Sequence, residues 1–280
     1  MLKLLKIEMR RLFQNKAFYL SLVIGFSLCI WLLLTQLQEV RELNEAIKEY
    51  GTEKLGLYYP RSLYNSFIGL DYAYLPSIIL YTIFPLLVTL PHAISYYRDK
   101  RSGYLKNILL KADRKDYYFA KYLSVFASGF ITTLVILLFS LWISAMAFPA
   151  LKPEVVTNTY SPFLKTQMMV DLFYLHPLMY VFIYILIDAV FLGIVSTIAL
   201  GISIFAGNIL LVFSGGMILY LVVEYLMEIT NKCDFSPFLF LKPTQLDCNA
   251  KPQIIIIEAV GIILLVAIPF FLMERKKDVF

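Results

Sequence analysis

Long uninterrupted apolar runs constrain the fold of this chain more than any other feature. The runs Ala17–Leu34 and Ile254–Met273 each reach the roughly 18–20 residues that a helix needs to cross a bilayer. Hydrophobic residues make up 60% of the 280 residues and charged residues 16%, whereas ordinary soluble domains have about 45–50% and about 25%. This composition excludes a soluble enzyme, a disordered tail and a disulfide-rich secreted module. The first run continues into a charged helical pattern without a small-residue cleavage site, so we expect no cleaved signal peptide.

Hydropathy predicts an all-α polytopic membrane protein with six transmembrane helices. The whole chain, 1–280, is expected to form one transmembrane domain. The predicted spans are 17–36, 76–96, 120–148, 176–205, 208–228 and 253–273. An outer loop at 229–252 is predicted to precede the last span.

Basic residues concentrate on one side of this six-span arrangement. Sixteen of the 25 Lys and Arg lie before the first span, in the segment from Arg98 to Lys121 between spans two and three, or after the last span. Because Lys and Arg are retained on the cytoplasmic side of a membrane, we predict that both termini are cytoplasmic. The uncharged turn 206–208 is assigned to the same side by the number of spans alone.

The net charge of +5 does not indicate a nucleic-acid-binding protein. Positive charge at these positions is accounted for by the topology and by attraction to anionic lipid headgroups. We therefore expect contacts with membrane lipid and no nucleic acid as a partner.

The segment 1–16 has the pattern of an amphipathic interfacial helix. Apolar side chains share one face of a helical wheel and basic side chains share the adjacent face. The apolar face is formed by Leu2, Leu5, Met9, Leu12 and Phe13. We predict that this helix lies in the membrane interface. The alternative is a positive topology signal with incidental apolar residues and a single acid, Glu8.

The segment 98–120, between spans two and three, is much longer than a connection requires, since about four or five residues would suffice. Ser102-Gly103 is predicted to begin a short helix, in which Leu105, Ile108 and Leu109 form an apolar edge at positions i, i+3 and i+4. The same segment carries a basic surface, formed by Arg98, Arg101, Lys106 and Lys111. We expect this helix to contact a partner; the alternative is an amphipathic segment that rests on lipid headgroups.

A second helix is predicted to begin within this segment and to continue into span three. Asp113 is the predicted N-cap, and Asp116 would occupy the N3 position of a capping box.

Several stretches resemble the permeases of type-2 ATP-binding-cassette (ABC) exporters, in particular a Gram-positive bacterial group of similar length. They are Leu4–Lys16 (LLKIEMRRLFQNK), Asp99–Leu109 (DKRSGYLKNIL), Ala112–Lys121 (ADRKDYYFAK), Asp171–Leu178 (DLFYLHPL) and Phe235–Pro243 (FSPFLFLKP). The resemblance implies a permease half in the bacterial plasma membrane that pairs with a second permease as a homodimer or heterodimer. A separate ATP-binding subunit would dock on 98–120 as the coupling helix. It also implies a connecting helix at 1–16 and a re-entrant outer segment near 235–243.

Motifs for chemistry are missing from the sequence. No G-x-x-x-x-G-K-[ST] loop occurs, so ATP and Mg²⁺ are expected in the partner subunit and no cofactor in this chain. The two histidines have no Cys or carboxylate at ligand spacing, so no metal site is predicted. Neither H-E-x-x-H nor G-x-S-x-G occurs, and we expect no enzyme activity in this chain itself.

Carboxylates fall within three of the predicted spans: Asp188 in span four, Glu224 and Glu228 in span five and Glu258 in span six. Asp188 lies near the middle of span four, a costly position that normally faces protein or water. Small residues run beside it at four-residue spacing, which lets another helix approach closely; they are Ala189, Gly193, Thr197 and Gly201. Asp188 is either a structural, hydrogen-bonded carboxylate or a substrate-facing or proton-linked group. Glu258 lies near the outer end of span six, where we expect solvation or pairing.

Two features are predicted outside the membrane. The apolar stripe of the first span continues to Gly51, a natural helix stop, so that the first helix projects as a stalk. Cys233 and Cys248 flank the last outer loop and are candidates for a disulfide in an oxidising space, with two free thiols as the alternative.

Other function classes remain beside the ABC permease. An ATP-independent transporter or channel would more naturally carry inverted repeats or several mid-membrane charges. A membrane sensor or scaffold that moves no cargo is a further alternative.

Overall fold

The structure, a computed structural model, describes residues 1–51, 61–67, 74–154, 167–242 and 251–275. Within these residues the chain is helical and contains no β-strand. The α-helices are α1 (Leu2–Gln14), α2 (Lys16–Tyr50), α3 (Leu63–Ser66), α4 (Leu75–Thr89), α5 (Ser95–Arg101), α6 (Tyr104–Leu109), α7 (Arg114–Ala147), α8 (Val170–Leu175), α9 (Pro177–Ser196), α10 (Ile198–Phe205), α11 (Ile209–Ile229), α12 (Pro237–Phe240) and α13 (Pro252–Arg275). A short 3-10 turn at Cys233–Phe235 precedes α12.

Five helical stretches of the described chain are long and apolar enough to cross a membrane. They are Lys16–Glu49, Arg114–Ala147, Pro177–Phe205, Ile209–Ile229 and Pro252–Leu272. They correspond to predicted spans one, three, four, five and six. This finding supports an all-α polytopic membrane protein.

The second predicted span, 76–96, is shorter in the structure than its hydropathy indicates. α4 has 15 residues, which makes it about 22 Å long, whereas the hydrocarbon core of a bilayer is about 30 Å thick. A turn at 90–94 separates α4 from α5. Pro91 lies in this turn and has no backbone N–H to continue the helical ladder, while the apolar composition continues past it.

The long helices run between two ends of the bundle. At the α1 end, Asn15 Nδ2 donates to the Pro91 carbonyl oxygen at 2.5 Å, and the Tyr118 and Phe270 ring centroids are 5.1 Å apart. At the far end, the Leu63 backbone N–H donates to the Pro149 carbonyl oxygen at 3.0 Å. The helix α1, the segment between α4 and α7, and the C-terminal part of α13 therefore share one end.

α7 packs against α1, α2 and α9, and its crossing with α9 brings the two backbones close together. A Cβ added to Gly129 of α7 would lie 2.7 Å from Ser196 Oγ and 3.1 Å from Gly193 Cα. Only a residue without a side chain fits between the two backbones. This confirms the close helix contact predicted for Gly193.

The fourth predicted span is interrupted at Thr197, where α9 ends and α10 begins. Ser196 Oγ donates to the Gly193 carbonyl oxygen and Thr197 Oγ1 to the Ile194 carbonyl oxygen, both at 2.7 Å. Hydroxyl groups that bond to the preceding turn bend a helix. Two adjacent bonds of this kind account for the break at this position.

α1 forms an amphipathic helix, with Leu2 and Phe13 of its predicted apolar face exposed at 76% and 45% and Leu12 buried. Exposed apolar side chains are compatible with a place in the membrane interface, which stays a prediction. The other buried residue of α1 is the acid Glu8. The prediction treated every charged side chain as a surface group, and Glu8 finds charged partners inside the bundle instead.

The sequence predicts two helix ends, the C-terminal end of α2 and the N-terminal end of α7. α2 has 35 residues, about 52 Å, and ends at Gly51, whose φ of 76° is unfavourable for residues with a Cβ. This confirms the predicted stop. Asp113 is the N-cap of α7 and Asp116 lies in its first turn, which confirms both predicted positions. The Asp113 side chain makes no cap bond, and Asp116 pairs with the α-amino group of Met1 at 2.5 Å, so the reciprocal bonds of a capping box do not form.

Candidate functional site

A cluster of buried charges joins α1, α5 and α7 at the α1 end. Its centre is Lys121, which has no exposed surface. The Lys121 Nζ lies 2.8 Å from Glu8 Oε2 and 2.6 Å from Asp99 Oδ2. Both carboxylates are 2% exposed. Charges at this depth are tolerated only when they are paired and hydrogen-bonded.

Arg11 completes the pairing of both acids. Its Nη2 lies 2.7 Å from Asp99 Oδ1 and its Nη1 3.2 Å from Asp99 Oδ2, a two-pronged contact. The same Nη1 donates to Glu8 Oε1 at 3.0 Å. Such forked contacts fix orientation as well as charge. The guanidinium carbon also lies 4.9 Å from the Tyr104 ring centroid, which connects the cluster to α6.

Two neutral groups satisfy the remaining oxygen lone pairs. The Tyr117 hydroxyl donates to Asp99 Oδ2 at 3.2 Å, and His92 Nε2 lies 3.0 Å from Glu8 Oε2. With Glu8 and Asp99 as anions and Arg11 and Lys121 as cations, the cluster is balanced in charge when His92 is neutral. We define these six residues as the ion-pair cluster.

The pKa values within the cluster follow from its geometry. Burial by itself would raise the pKa of Glu8, but the hydrogen bond with His92 and the charges of Lys121 and Arg11 hold it well below its usual value. The hydrogen bond to Asp99 raises the pKa of Arg11 above its ordinary value, although burial opposes this. Burial lowers the pKa of His92 despite its contact with Glu8. These directions favour the charge-balanced state.

The next element, α6, begins directly after a residue with a left-handed backbone conformation. Gly103, with φ 75°, precedes the helix at its N-cap position. Leu105 is 2% exposed, and Ile108 and Leu109 pack against the same apolar core as Leu105. The apolar edge predicted for this short helix is therefore confirmed.

The polar residues of this segment face the other way. The exposed side chains at or near α6 include five basic ones, Arg98, Lys100, Arg101, Lys106 and Lys111, together with Ser102, Asn107, Leu110 and Asp113. The basic side chains surround a helix whose apolar edge already has partners within the bundle. We call the exposed surface formed by Arg98, Arg101, Lys106 and Lys111 the basic face.

α5 also holds the turn between α10 and α11. The Tyr97 hydroxyl donates to the Gly207 carbonyl oxygen at 2.8 Å, and Arg101 Nη2 donates to the same oxygen at 3.0 Å. Lys100 Nζ donates to the Ile204 carbonyl oxygen at 3.3 Å. The uncharged turn 206–208 thus lies at the α1 end. The segment 98–120 is connected to α1, α7, α10 and α11.

Asp188 is far from the ion-pair cluster and is enclosed by protein. It is 2% exposed, and its Oδ2 accepts a hydrogen bond from the Tyr81 hydroxyl at 2.9 Å. Its Oδ1 has no partner in the described structure. The hydrogen-bonded interpretation has direct support in this contact, while the open Oδ1 leaves the functional interpretation in place.

Lys242 follows the C-terminal end of α12, and its ammonium group lies over two aromatic rings. Its Nζ is 3.6 Å from the Phe238 ring centroid and 5.4 Å from the Tyr81 ring centroid. Burial lowers the pKa of Lys242 to about 8, although Glu224 opposes this. Ser236 donates to Glu224 beside it.

The other described residues of the prediction, Glu258 and Cys233, belong neither to the ion-pair cluster nor to the surroundings of Asp188. Glu258 lies within α13 and lines an apolar groove. Cys233 begins the 3-10 turn at the far end, and Cys248 lies outside the described residues, so the disulfide stays a prediction. Among the residues that the structure describes, no three His, Cys, Asp or Glu side chains group as metal ligands.

Sequence reasoning missed the ion-pair cluster as a unit. Glu8 was counted as the one acid of a basic helix, and Lys121 as one more base of a cytoplasmic loop. A signal was present in each case. Glu8 lies four residues before the buried Leu12, and Lys121 has Tyr117, Ser124 and Val125 on its own helical face. A charge surrounded by such neighbours must find a counter-charge.

Comparison with family models, with curated protein sequences and with solved structures found no match to this chain. Its function must therefore be inferred from its own residues and their arrangement.

Proposed function

We propose that the chain is the transmembrane permease subunit of an ABC exporter, coupled to a separate ATP-binding subunit. The observation that carries this proposal is the segment between α4 and α7. It places a short helix with a fixed apolar edge and an outward basic face at the same end of the bundle as α1. A loop that only reconnected two membrane helices would need neither feature.

The contacts of this segment with other helices are suited to transmitting a displacement. The ion-pair cluster joins α5 to α1 and α7, and the bonds to Gly207 join it to α10 and α11. A displacement of α6 would therefore be passed to four other helices rather than absorbed by a flexible loop. Coupling between distant sites requires contiguous packed elements of this kind.

The chemistry of the basic face indicates the partner. An exposed cluster of Lys and Arg fits a surface with acidic residues, and charge complementarity of this kind steers association. In the proposed complex the partner subunit binds ATP and Mg²⁺. A second permease, of the same or a different sequence, would complete the pathway in the plasma membrane. In this proposal the α1 end faces the cytoplasm.

The proposal is tested by co-purification with an ABC-type ATPase encoded beside this chain. Charge reversal at Arg98, Lys106 and Lys111 should remove binding and the stimulation of ATP hydrolysis. Arg101 is left intact because its contact with Gly207 positions α11. The matched control reverses three exposed basic residues of the far end, Arg41, Lys48 and Lys232, which should leave binding unchanged.

Two results would contradict the proposal. If the intact chain neither binds nor stimulates the ATPase, it is not the permease partner of that enzyme. If reversal at the far end weakens binding as much as reversal at the basic face, the partner does not dock on 98–120.

A further inference from the structure

An apolar groove of about 700 Å³ runs along the membrane-spanning part of the bundle between α10, α11 and α13. This volume lies within the range of ligand sites, about 300–1,000 Å³. The groove opens on the surface, since Phe205 and Leu265 at its rim are 81% and 76% exposed. Its lining is almost wholly aliphatic and aromatic. Glu258 is the sole charged residue among its lining residues.

Glu258 stands without a counter-charge in the part of the chain that the structure describes. Among the described residues, none forms an ion pair or a hydrogen bond with its carboxylate, and it is half-buried. The groove thus holds one unpaired acid among apolar side chains. Polar groups so placed in a membrane mark binding sites or transport pathways.

The groove extends along α13, away from the Glu258 carboxylate. From Glu258 to Pro269, both in its lining, α13 advances about 16 Å. Gly261 lies between them, and a Cβ added there would meet nothing within 4 Å. The groove therefore offers a continuous apolar channel that begins at a carboxylate near the far end and runs toward the α1 end.

We propose that this groove binds a single-chain amphiphile whose protonated amine pairs with Glu258 and whose alkyl chain lies along α13. The proposal concerns binding alone and does not depend on the proposed coupling to an ATPase.

Charge complementarity favours this occupant over two others. A zwitterionic phospholipid would bring a phosphate, and the groove lining offers no Lys or Arg to receive it. A second copy of this chain would need to insert a cation at the depth of Glu258. The stretches Leu75–Thr89, Pro177–Phe205, Ile209–Ile229 and Pro252–Leu272 contain no Lys or Arg, so these helices of a neighbouring copy have none to offer.

The test is photo-crosslinking of the full chain in phosphatidylglycerol nanodiscs, which contain no amine-bearing lipid. The probe is dodecylamine with a diazirine in mid-chain, and the matched probes are the corresponding dodecanol and dodecanoic acid. Labelled residues are identified by mass spectrometry. We expect the amine probe to label the groove residues Ile262 and Leu265, and the acid probe to label them at least roughly tenfold less.

Variants separate the charge contact from the shape. Glu258→Gln should reduce amine labelling by at least roughly tenfold and leave dodecanol labelling unchanged. The control Glu228→Gln makes the same change at an exposed carboxylate of α11 outside the groove and should alter neither. Gly261→Phe, at a position where a Cβ meets nothing within 4 Å, should reduce labelling by both the amine and the alcohol.

Several results would overturn the proposal. Equal labelling by amine and acid, or an unchanged Glu258→Gln variant, would show that the groove merely holds membrane lipid. Displacement of the amine probe by added phosphatidylethanolamine at equal concentration would identify a phospholipid as the occupant. Crosslinks between two copies across Leu265 would show that a second chain covers the groove.

Discussion

The Lys121 ammonium lies 2.6 Å from the Asp99 carboxylate, and neither side chain reaches the surface. Asp99 belongs to α5 and Lys121 to α7, so this pair closes the segment 98–120 onto the helix that follows it. Arg11 and Glu8 bring α1 to the same point. These four charges therefore hold together α1, α5 and α7, although α1 is far from the other two in the sequence.

Removal of one member of this cluster should be much more harmful than removal of a surface charge. Lys121→Met leaves two buried carboxylates with one cation, and we expect a loss of about 3–5 kcal/mol in the free energy of unfolding. The measurement is equilibrium unfolding in mixed detergent. The control Lys115→Met, at an exposed site of the same helix, should change stability by about 0.5 kcal/mol or less. Equal losses in both variants would contradict the cluster's role.

The cluster should behave as one energetic unit. A double-mutant cycle of Glu8→Gln and Lys121→Met should give an interaction energy of about 0.5–3 kcal/mol, because the two groups share a direct contact. The exposed pair Arg41 and Glu45, 3.1 Å apart, is the comparison and should give about 0.3–0.5 kcal/mol. Simple additivity of the Glu8 and Lys121 changes would contradict this prediction.

Stability should fall as the pH is lowered. The folded-state pKa of His92 lies below 6.5 and that of Glu8 below 4.5. Under acidic conditions the unfolded chain therefore binds protons that the folded chain does not, which favours unfolding. The His92 part of this loss develops below pH 6.5 and the Glu8 part below pH 4.5.

Thermal unfolding at pH 7.5 and pH 5.5 isolates the histidine. We expect the wild type to lose stability over this interval and His92→Gln to lose less. His176→Gln changes an exposed histidine at the far end and should keep the full pH dependence. A His92→Gln variant with an unchanged pH slope would show that His92 does not exchange protons with folding.

The crossing of α7 and α9 should not tolerate a methyl group. Alanine normally favours a helix over glycine by about 1 kcal/mol, yet Gly129→Ala should destabilise by about 1–3 kcal/mol because its Cβ would meet Ser196 and the α9 backbone. The same change at Gly261, where a Cβ meets nothing, should be neutral or stabilising. Opposite signs at the two glycines, measured by unfolding, check the crossing.

The bond between Tyr81 and Asp188 should contribute modestly. Tyr81→Phe removes the one hydrogen-bond donor described for Asp188, and polar bonds between membrane helices average about 0.6 kcal/mol. We expect a loss of this order in the unfolding free energy. Asp188→Asn should be milder still, since its carbonyl oxygen accepts the same bond. A loss well above 2 kcal/mol in either variant would show that Asp188 is part of a larger network.

The sequence predicted much of what depends on periodicity and composition. The helical class, the stop at Gly51, the apolar edge formed by Leu105, Ile108 and Leu109, and the close approach at Gly193 all follow from local spacing. Each is decided by residues within a few positions of one another. Such features are visible without knowledge of the neighbouring helices.

The ion-pair cluster could not be predicted in the same way because its partners are far apart in the chain. Asp99 lies 88 residues from Arg11, and Lys121 lies 113 residues from Glu8. Sequence rules count Lys and Arg as signs of the cytoplasmic side, and they do not distinguish a base that faces water from one that faces an acid. Only the packing of α1 against α7 decides this for Lys121.

The apolar helix α4 is short, with 15 residues. At about 22 Å the helix is shorter than a typical hydrocarbon core of about 30 Å, and the turn at 90–94 that follows it carries His92 of the ion-pair cluster. Lipids around a span of this length would have to thin or rearrange, at a cost that grows with each ångström of mismatch. Longer acyl chains would raise this cost next to the ion-pair cluster. Bilayer thickness would thereby act on the same residues as the partner subunit that we propose.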